Sequence, residues 1–359
     1  MSTVPDSRMR IHSTDPLVGG PPLPLLLRQF ITPAELFFVR NHGPVPEVDP
    51  VSFRLEVSGM VRRPLSLSLD ALRDFPRSRV AATLQCAGNR REELMSVAPI
   101  PGEVPWGADG IGTAAWGGVR LSDLLEAAGL AEGASHVAFD GLDSVTRHGE
   151  TFGFGGSIPL EKALGPEVLI ADEMNGATLP PVHGYPLRAV VPGYIGARSV
   201  KWLGRIQVQA APSGNYFQAH VYRLFAPQIT PETARPENGL PLGENSLNAV
   251  ICVPESGEVL SAGVVTVQGY ALAGGSRRVA RVDVSPDGGR SWTSATLRHH
   301  EPWAWQFWEV RLTLETGPAE LAARAWDSSA NTQPEHLESV WNFKGYMNNA
   351  WHRVRVTAR

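Results

Sequence analysis

The sequence predicts an α+β protein, a mixed α+β domain followed by a β-sandwich, and three observations carry that reading. At 359 residues the chain is too long for one ordinary core and suits two domains. Its first two thirds mix strand-like and helix-like segments, and with 36 glycines and 30 prolines it is built from turns and loops rather than a helix bundle. Its last third changes to a period of two, short apolar–polar alternations separated by turn residues.

The elements follow in order. Thr32-Pro33-Ala34-Glu35 is a helix start, with Thr as N-cap, Pro at the first helical position and Glu at the third. Residues 67–75 and 121–130 are predicted as short amphipathic helices, the second closed by Gly129. Residues 137–139 and 187–191 are predicted as buried strands. Between them, residues 99–118 and 151–159 are rich in Gly and Pro and are predicted as long loops, which in a compact domain are often functional. The polar, Pro-rich stretch 227–241 is the candidate linker, dividing the chain into 1–228 and 229–359. Beyond it, 265–268, 279–284, 291–294, 308–314 and 321–326 alternate, with a turn at Pro286-Asp287-Gly288-Gly289. Trp303, Trp305 and Trp308 are assigned to the sandwich core in preference to an interface, and Cys252 to an inert strand position.

Composition removes several function classes. A net charge of −4 with no Lys/Arg-rich run argues against nucleic acid as a partner. Residues 1–17 lack the charged start and apolar run of a secretory signal. The apolar stretch 21–27 is Pro-broken and far short of the roughly 20 residues that span a bilayer. The expectation is a cytoplasmic protein, or a periplasmic one if an export signal preceded it, with no membrane partner. Two cysteines exclude a disulfide framework or a Cys-rich zinc site by count. Gly110-Ile111-Gly112-Thr113-Ala114-Ala115 imitates a dinucleotide fingerprint, but Trp116-Gly117-Gly118 follows and would break the helix that fingerprint must open.

The chemistry concentrates in Leu84-Gln85-Cys86-Ala87-Gly88-Asn89-Arg90-Arg91. Two arginines beside a cysteine favour its thiolate, a soft ligand for a soft or high-valent metal; a small buried hydrophobe is the competing reading, and on the residues alone both stand. Phe37-Phe38-Val39-Arg40-Asn41-His42 sets cation, amide and imidazole side by side. Arg188 lies in an otherwise apolar strand, where a guanidinium needs an anionic partner. His183, Arg198, Ser199 and Lys201 add to more basic loop groups than nearby carboxylates answer, and a phosphorylated ligand would satisfy them.

On these segments the chain resembles the sulfite oxidase family of molybdopterin-dependent oxidoreductases, of the type without a haem domain. The likeness also takes in Pro105-Trp106, Gly141-Leu142-Asp143, Glu173-Met174-Asn175-Gly176, Tyr222, and Trp341-Asn342 through Arg353. The resemblance implies a molybdopterin-binding domain followed by an immunoglobulin-like sandwich used for dimerisation. It implies Cys86 as the molybdenum ligand, and Phe38, Arg40, Asn41, His42, Asp143, His183, Arg188, Ser199 and Lys201 around the pterin and its phosphate. It implies a substrate pocket of Arg40, Arg91, Trp106 and Tyr222, with Lys344 where sulfite oxidases carry arginine and nitrate reductases methionine. Lysine keeps the charge but loses the planar fork that grips two oxygens. The expected activity is oxidation of sulfite to sulfate. With no haem-attachment cysteine pair, electrons are expected to leave to a separate acceptor such as a cytochrome c. Nitrate reduction, sulfane-sulfur oxidation and a non-catalytic molybdopterin carrier are the competing readings.

Overall fold

A computed structural model of the chain describes residues 6–359. Near the N-terminus Arg10–Thr14, Leu17–Gly20 and Val39–Arg40 form a small antiparallel sheet, which fixes the start of the Arg40-Asn41-His42 run. A five-stranded sheet has the order Gly155–Pro159, His136–Gly141, Leu203–Gln209, Leu55–Gly59, Leu65–Leu67, antiparallel except where Leu203–Gln209 meets Leu55–Gly59. The helix Leu121–Ala128 buries Leu121, Leu124, Leu125 and Ala128 in the same core as Leu55, Val57 and Phe139. It stops where Gly129 takes φ 69°, a left-handed turn that glycine adopts without strain.

A second sheet carries the candidate site. Ala177–Thr178, Leu169–Met174, Ile111–Arg120 and Arg77–Gln85 lie side by side, and Arg188–Val190 also pairs with Leu169–Met174. Cys86 follows directly on the end of Arg77–Gln85.

Four expectations are corrected here. The segment 99–118 is not loop throughout, because Ile111–Arg120 is a ten-residue strand, buried along nearly its whole length. Its glycines are packing sites: a Cβ on Gly112 would meet the Phe37 ring at 2.9 Å, and one on Gly118 the Ile170 carbonyl oxygen at 2.1 Å. Likewise 151–159 contains the strands Glu150–Phe152 and Gly155–Pro159. The helix expected at Thr32 is a single 3₁₀ turn, Ala34–Leu36, and Thr32 Oγ1 accepts from the Thr113 N–H instead of capping it. The helix expected over 67–75 is one turn, Leu69–Leu72, capped by Ser68.

The C-terminal third is a sandwich. Asn248–Val253, Gly263–Leu272, Gln306–Leu314 and Thr296–Arg298 form one sheet; Val259–Leu260, His352–Ala358, Gly317–Asp327, Val279–Ser285 and Thr293–Ser294 form the other. Ile251, Val267, Val282, Trp308, Leu321 and Val354 fill the space between them. Trp308 is sandwich core as expected, but Trp305 belongs to the seam between the two parts of the chain. There it packs with Leu26, Ile111, Cys252 and Tyr270, and its backbone N–H donates to Thr83 Oγ1 at 2.7 Å. Trp303 also faces the first part, where its carbonyl accepts from the Thr83 N–H. The C-terminal stretch 341–350 folds back over the Cys86 turn, the Met347 N–H donating to the Ala87 carbonyl at 2.8 Å. Among the described residues no helix is long and apolar enough to cross a membrane.

Candidate active site

The Cys86 turn is fixed from three sides. Its own backbone closes it, with the Asn89 N–H donating to the Cys86 carbonyl at 3.0 Å. Asn89 Oδ1 accepts from the Gly110 N–H at 2.9 Å, and the Cys86 N–H donates to the Gly110 carbonyl at 2.8 Å. Gly88 leaves room for the Arg91 guanidinium, which would lie 2.5 Å from a Cβ there and would have to move. Arg90, fully buried at φ 67°, clamps the turn: it donates to both oxygens of Glu93 (2.7 and 2.6 Å), to Asn248 Oδ1 at 2.7 Å and to the Ala350 carbonyl at 2.8 Å.

Cys86 lines a cavity walled by aromatic and basic side chains. Phe38, Arg40, Asn41, His42, Asp143, His183, Arg188, Ser199, Lys201 and Tyr222 all line it, so ten residues expected on one site share one wall with the cysteine. Each arrives from a different place: Arg40 from the edge strand Val39–Arg40, Asp143 from just beyond His136–Gly141, Arg188 from the strand Arg188–Val190.

The electrostatics of this wall are unbalanced. Arg40, Arg188 and Lys201 face a single carboxylate, Asp143, and none of the three makes an ion pair among the described residues. Arg188 is 4% exposed; its guanidinium donates to the carbonyls of His183 (2.8 Å), Ser199 (3.1 Å) and Ala189 (3.4 Å) and lies over the Trp116 ring at 4.7 Å, with no carboxylate in reach. Burial without a counter-ion pushes it down to about 9. Lys201 is held well below the usual ammonium range by burial and then by Arg188, while it donates to Asn41 Oδ1 and the Val182 carbonyl. Burial likewise lowers His42, and lowers His183 to about 3, so both imidazoles are neutral at pH 7. His183 Nε2 lies 2.8 Å from the Ala34 carbonyl, which can only accept. That nitrogen therefore carries the proton, leaving Nδ1 as an acceptor. Asn41 Nδ2 is buried with no partner, a donor kept for something else. An anionic, phosphorylated group with hydrogen-bonding edges fits this donor set.

Residues 42–217 match the family of oxidoreductase molybdopterin binding domains, and 242–359 the Mo-co oxidoreductase dimerisation domain. Human mitochondrial sulfite oxidase is 44% identical over 97% of this chain, which spans 65% of that protein's length. The sulfite oxidase of Arabidopsis thaliana is 40% identical over 96% of this chain and 93% of its own. The chain belongs to the sulfite oxidase family. The sulfane dehydrogenase SoxCD of Paracoccus pantotrophus has the same fold, with a TM-score of 0.81 at 27% identity, over 95% of this chain and 84% of that one. As in the rest of the family, the first domain is a molybdopterin-binding domain and the second its β-rich companion.

For this family member three expected pocket residues stand off the cavity wall. Trp106 is fully buried, edge-on to Phe38 at 6.2 Å and to His12 at 4.9 Å, with its indole N–H unpartnered. It borders Cys86 through Gly110, where a Cβ would lie 3.3 Å from both side chains. Arg91 sits over the Tyr346 ring at 5.1 Å, its Nε and Nη1 donating to the carbonyls of Lys344 (2.9 Å) and Val104 (2.8 Å). Lys344 donates to Glu103 at 3.3 Å.

Sequence reasoning missed several residues of the site. Phe154 stacks on His42 at 4.6 Å, and Trp202 shares the cavity wall with Lys201. Tyr346 stacks on Tyr222 at 5.5 Å. Arg90, read only as one of two cations near Cys86, is the structural clamp. For Glu103 and Tyr346 no local signal exists, since they meet the site from positions more than 240 residues apart.

Proposed function

We propose that the chain oxidises a small sulfur oxyanion, sulfite first, using a molybdenum–molybdopterin group held in the cavity beside Cys86. The observation that carries this reading is the cavity itself: a cysteine at its wall, three basic side chains against one carboxylate, and an unpartnered amide donor. Cys86 would supply the thiolate ligand to the metal. Arg188, Lys201, Ser199 and His183 would hold the phosphate end of the pterin; Phe38, Arg40, Asn41, His42 and Asp143 would hold its ring edges. When bound, the group supplies two-electron redox chemistry, so that sulfite and water become sulfate, two protons and two electrons.

The chain's residues manage charge and protons around that event. Arg40, Arg91 and Lys344 would draw the anion in, with Trp106 packed behind Cys86. Tyr222 O–H and His42 Nε2, 3.0 Å apart, form a pair able to share a proton at the cavity edge. Electrons would pass singly to a separate acceptor, a cytochrome c type protein, and the domains, divided near 228/229, would pair as a homodimer through the second. The working compartment would be the cytoplasm, or the periplasm behind an export signal, which cell fractionation decides.

Metal analysis and paired assays test the reading, with sulfite and a one-electron acceptor beside nitrate and a reduced dye. Molybdenum near one per chain with sulfite turnover is expected. Cys86→Ser should stay folded and lose turnover by about a thousandfold or more. Full activity in that variant removes Cys86 as the metal ligand. Nitrate turnover alone, or molybdopterin without turnover of either, favours a reductase or a carrier instead.

A further inference from the structure

Two of the cations assigned to the substrate already share a carboxylate. Glu103 Oε1 lies 3.3 Å from Lys344 Nζ, and its Oε2 lies 3.6 Å from Arg91 Nη2. The Glu103 side chain is 19% exposed, that of Lys344 28% and that of Arg91 3%, so the cluster sits just under the surface. Backbone carbonyls occupy Nε and Nη1 of Arg91, and the nitrogen left over is the one turned to Glu103. The cluster is continuous with the cavity: Arg91 lies over Tyr346, Tyr346 stacks on Tyr222, and Tyr222 is part of the cavity wall. A dianion reaching these cations must displace a carboxylate that holds them or settle beside it, and like charges at such distances repel.

We propose that Glu103 is a specificity-determining residue, an internal counter-ion that occupies the anion position at Lys344 and Arg91 and weakens the site's hold on divalent oxyanions, sulfate above all. The inference rests on the reading of Arg91 and Lys344 as substrate cations. Its consequence is easier release of a doubly charged product. With Glu103 in place the cluster carries one net positive charge, where Arg91 and Lys344 alone would present two. An arginine at 344 would hold an oxyanion and the glutamate together in its planar fork; a lysine's compact ammonium offers no such fixed geometry, so the two anions compete for it.

Sodium sulfate, titrated calorimetrically into the holoenzyme at constant ionic strength, is the test, beside sulfite kinetics. Glu103→Gln should bind sulfate about five- to tenfold more tightly, the scale of one charge removed from a partly exposed cluster. The sulfite KM should fall by a similar factor while kcat holds or drops. Glu103→Asp, keeping the charge, should stay within about twofold of the wild type, and adding Lys344→Met to Glu103→Gln should remove most of the gain. Unchanged or weaker sulfate binding in Glu103→Gln overturns the proposal, as does its failure to fold, since either outcome makes the ion pairs structural. Sulfate titration needs no turnover. Tighter sulfate binding without sulfite oxidation in the wild type therefore keeps the counter-ion and ends the proposed activity; sulfite oxidation with no effect of Glu103→Gln on sulfate does the reverse.

Discussion

Arg188 separates a binding role from a structural one at the scale of a single side chain. A guanidinium 4% exposed and answered by carbonyls and the Trp116 ring has lost its hydration without gaining a counter-charge. In the ligand-free protein, Arg188→Met should therefore change stability by no more than about 1 kcal/mol, the lost hydrogen bonds being offset by relief from a buried charge. The same variant should retain about a tenth or less of the bound molybdopterin if the proposed charge-assisted contact to its phosphate is removed. Denaturant unfolding of the ligand-free protein and pterin content of the purified holoenzyme read the two effects apart. A loss of several kcal/mol in the ligand-free protein would make Arg188 a structural cation and weaken the case for a phosphate beside it.

At the scale of elements, the strand Arg77–Gln85, the Cys86 turn and the short helix Arg91–Leu94 form one unit, and Arg90 ties it to both halves of the chain. Arg90→Met strands Glu93, about a quarter exposed at 27%, together with Asn248 Oδ1 and the Ala350 carbonyl. The expected cost is about 3 kcal/mol, and adding Glu93→Leu should restore most of it, because a matched apolar pair replaces a broken ionic one. Urea unfolding of the single and double variants measures this; no recovery in the double variant would mean that the hydrogen bonds to Asn248 and Ala350 matter more than the ion pair. Legibility in the sequence follows the same physical line. The helix Leu121–Ala128 and the sandwich strands were readable because each shows water one face, so burial writes a period into the residues. The strand Ile111–Arg120 was not, since it is buried on both faces and its glycines admit the Phe37 ring and the Ile170 carbonyl, which imitates loop composition. In the site, Cys86 and the cations were readable as charge out of place, whereas Glu103, an acid among many, acquires meaning only when residues 91 and 344 meet it.

Across the whole molecule, three buried neutral histidines couple folding to pH. His42 and His183 lie in the cavity; His352 lies at the seam, where its Nδ1 accepts from the Ile251 N–H at 3.2 Å and Glu93 stands 3.8 Å from its Nε2. Burial holds His42 well below 6.5, His183 at about 3 and His352 at about 4. Each folded value is thus below the unfolded one, so as pH falls past 6.5 the unfolded chain takes up protons that the folded chain refuses. The stability is complete above 6.5 and is lost progressively toward about 4, each histidine contributing a slope of about 1.4 kcal/mol per pH unit. Glu93, whose carboxyl is lowered by Arg90 against the effect of burial, adds loss at the acid end; Asp143, raised by burial, acts in the opposite sense. Ligand-free protein should accordingly lose about 4 kcal/mol between pH 6 and 5, from three such slopes together. His352→Gln, which can still accept from Ile251, should remove about a third of that slope while leaving the cavity intact. Urea midpoints taken at half-unit steps of pH read both numbers. A flat profile from 6 to 5 in the wild type would mean that these imidazoles reach water or a counter-charge when folded, and the enclosed, basic cavity proposed to hold the cofactor would go with them.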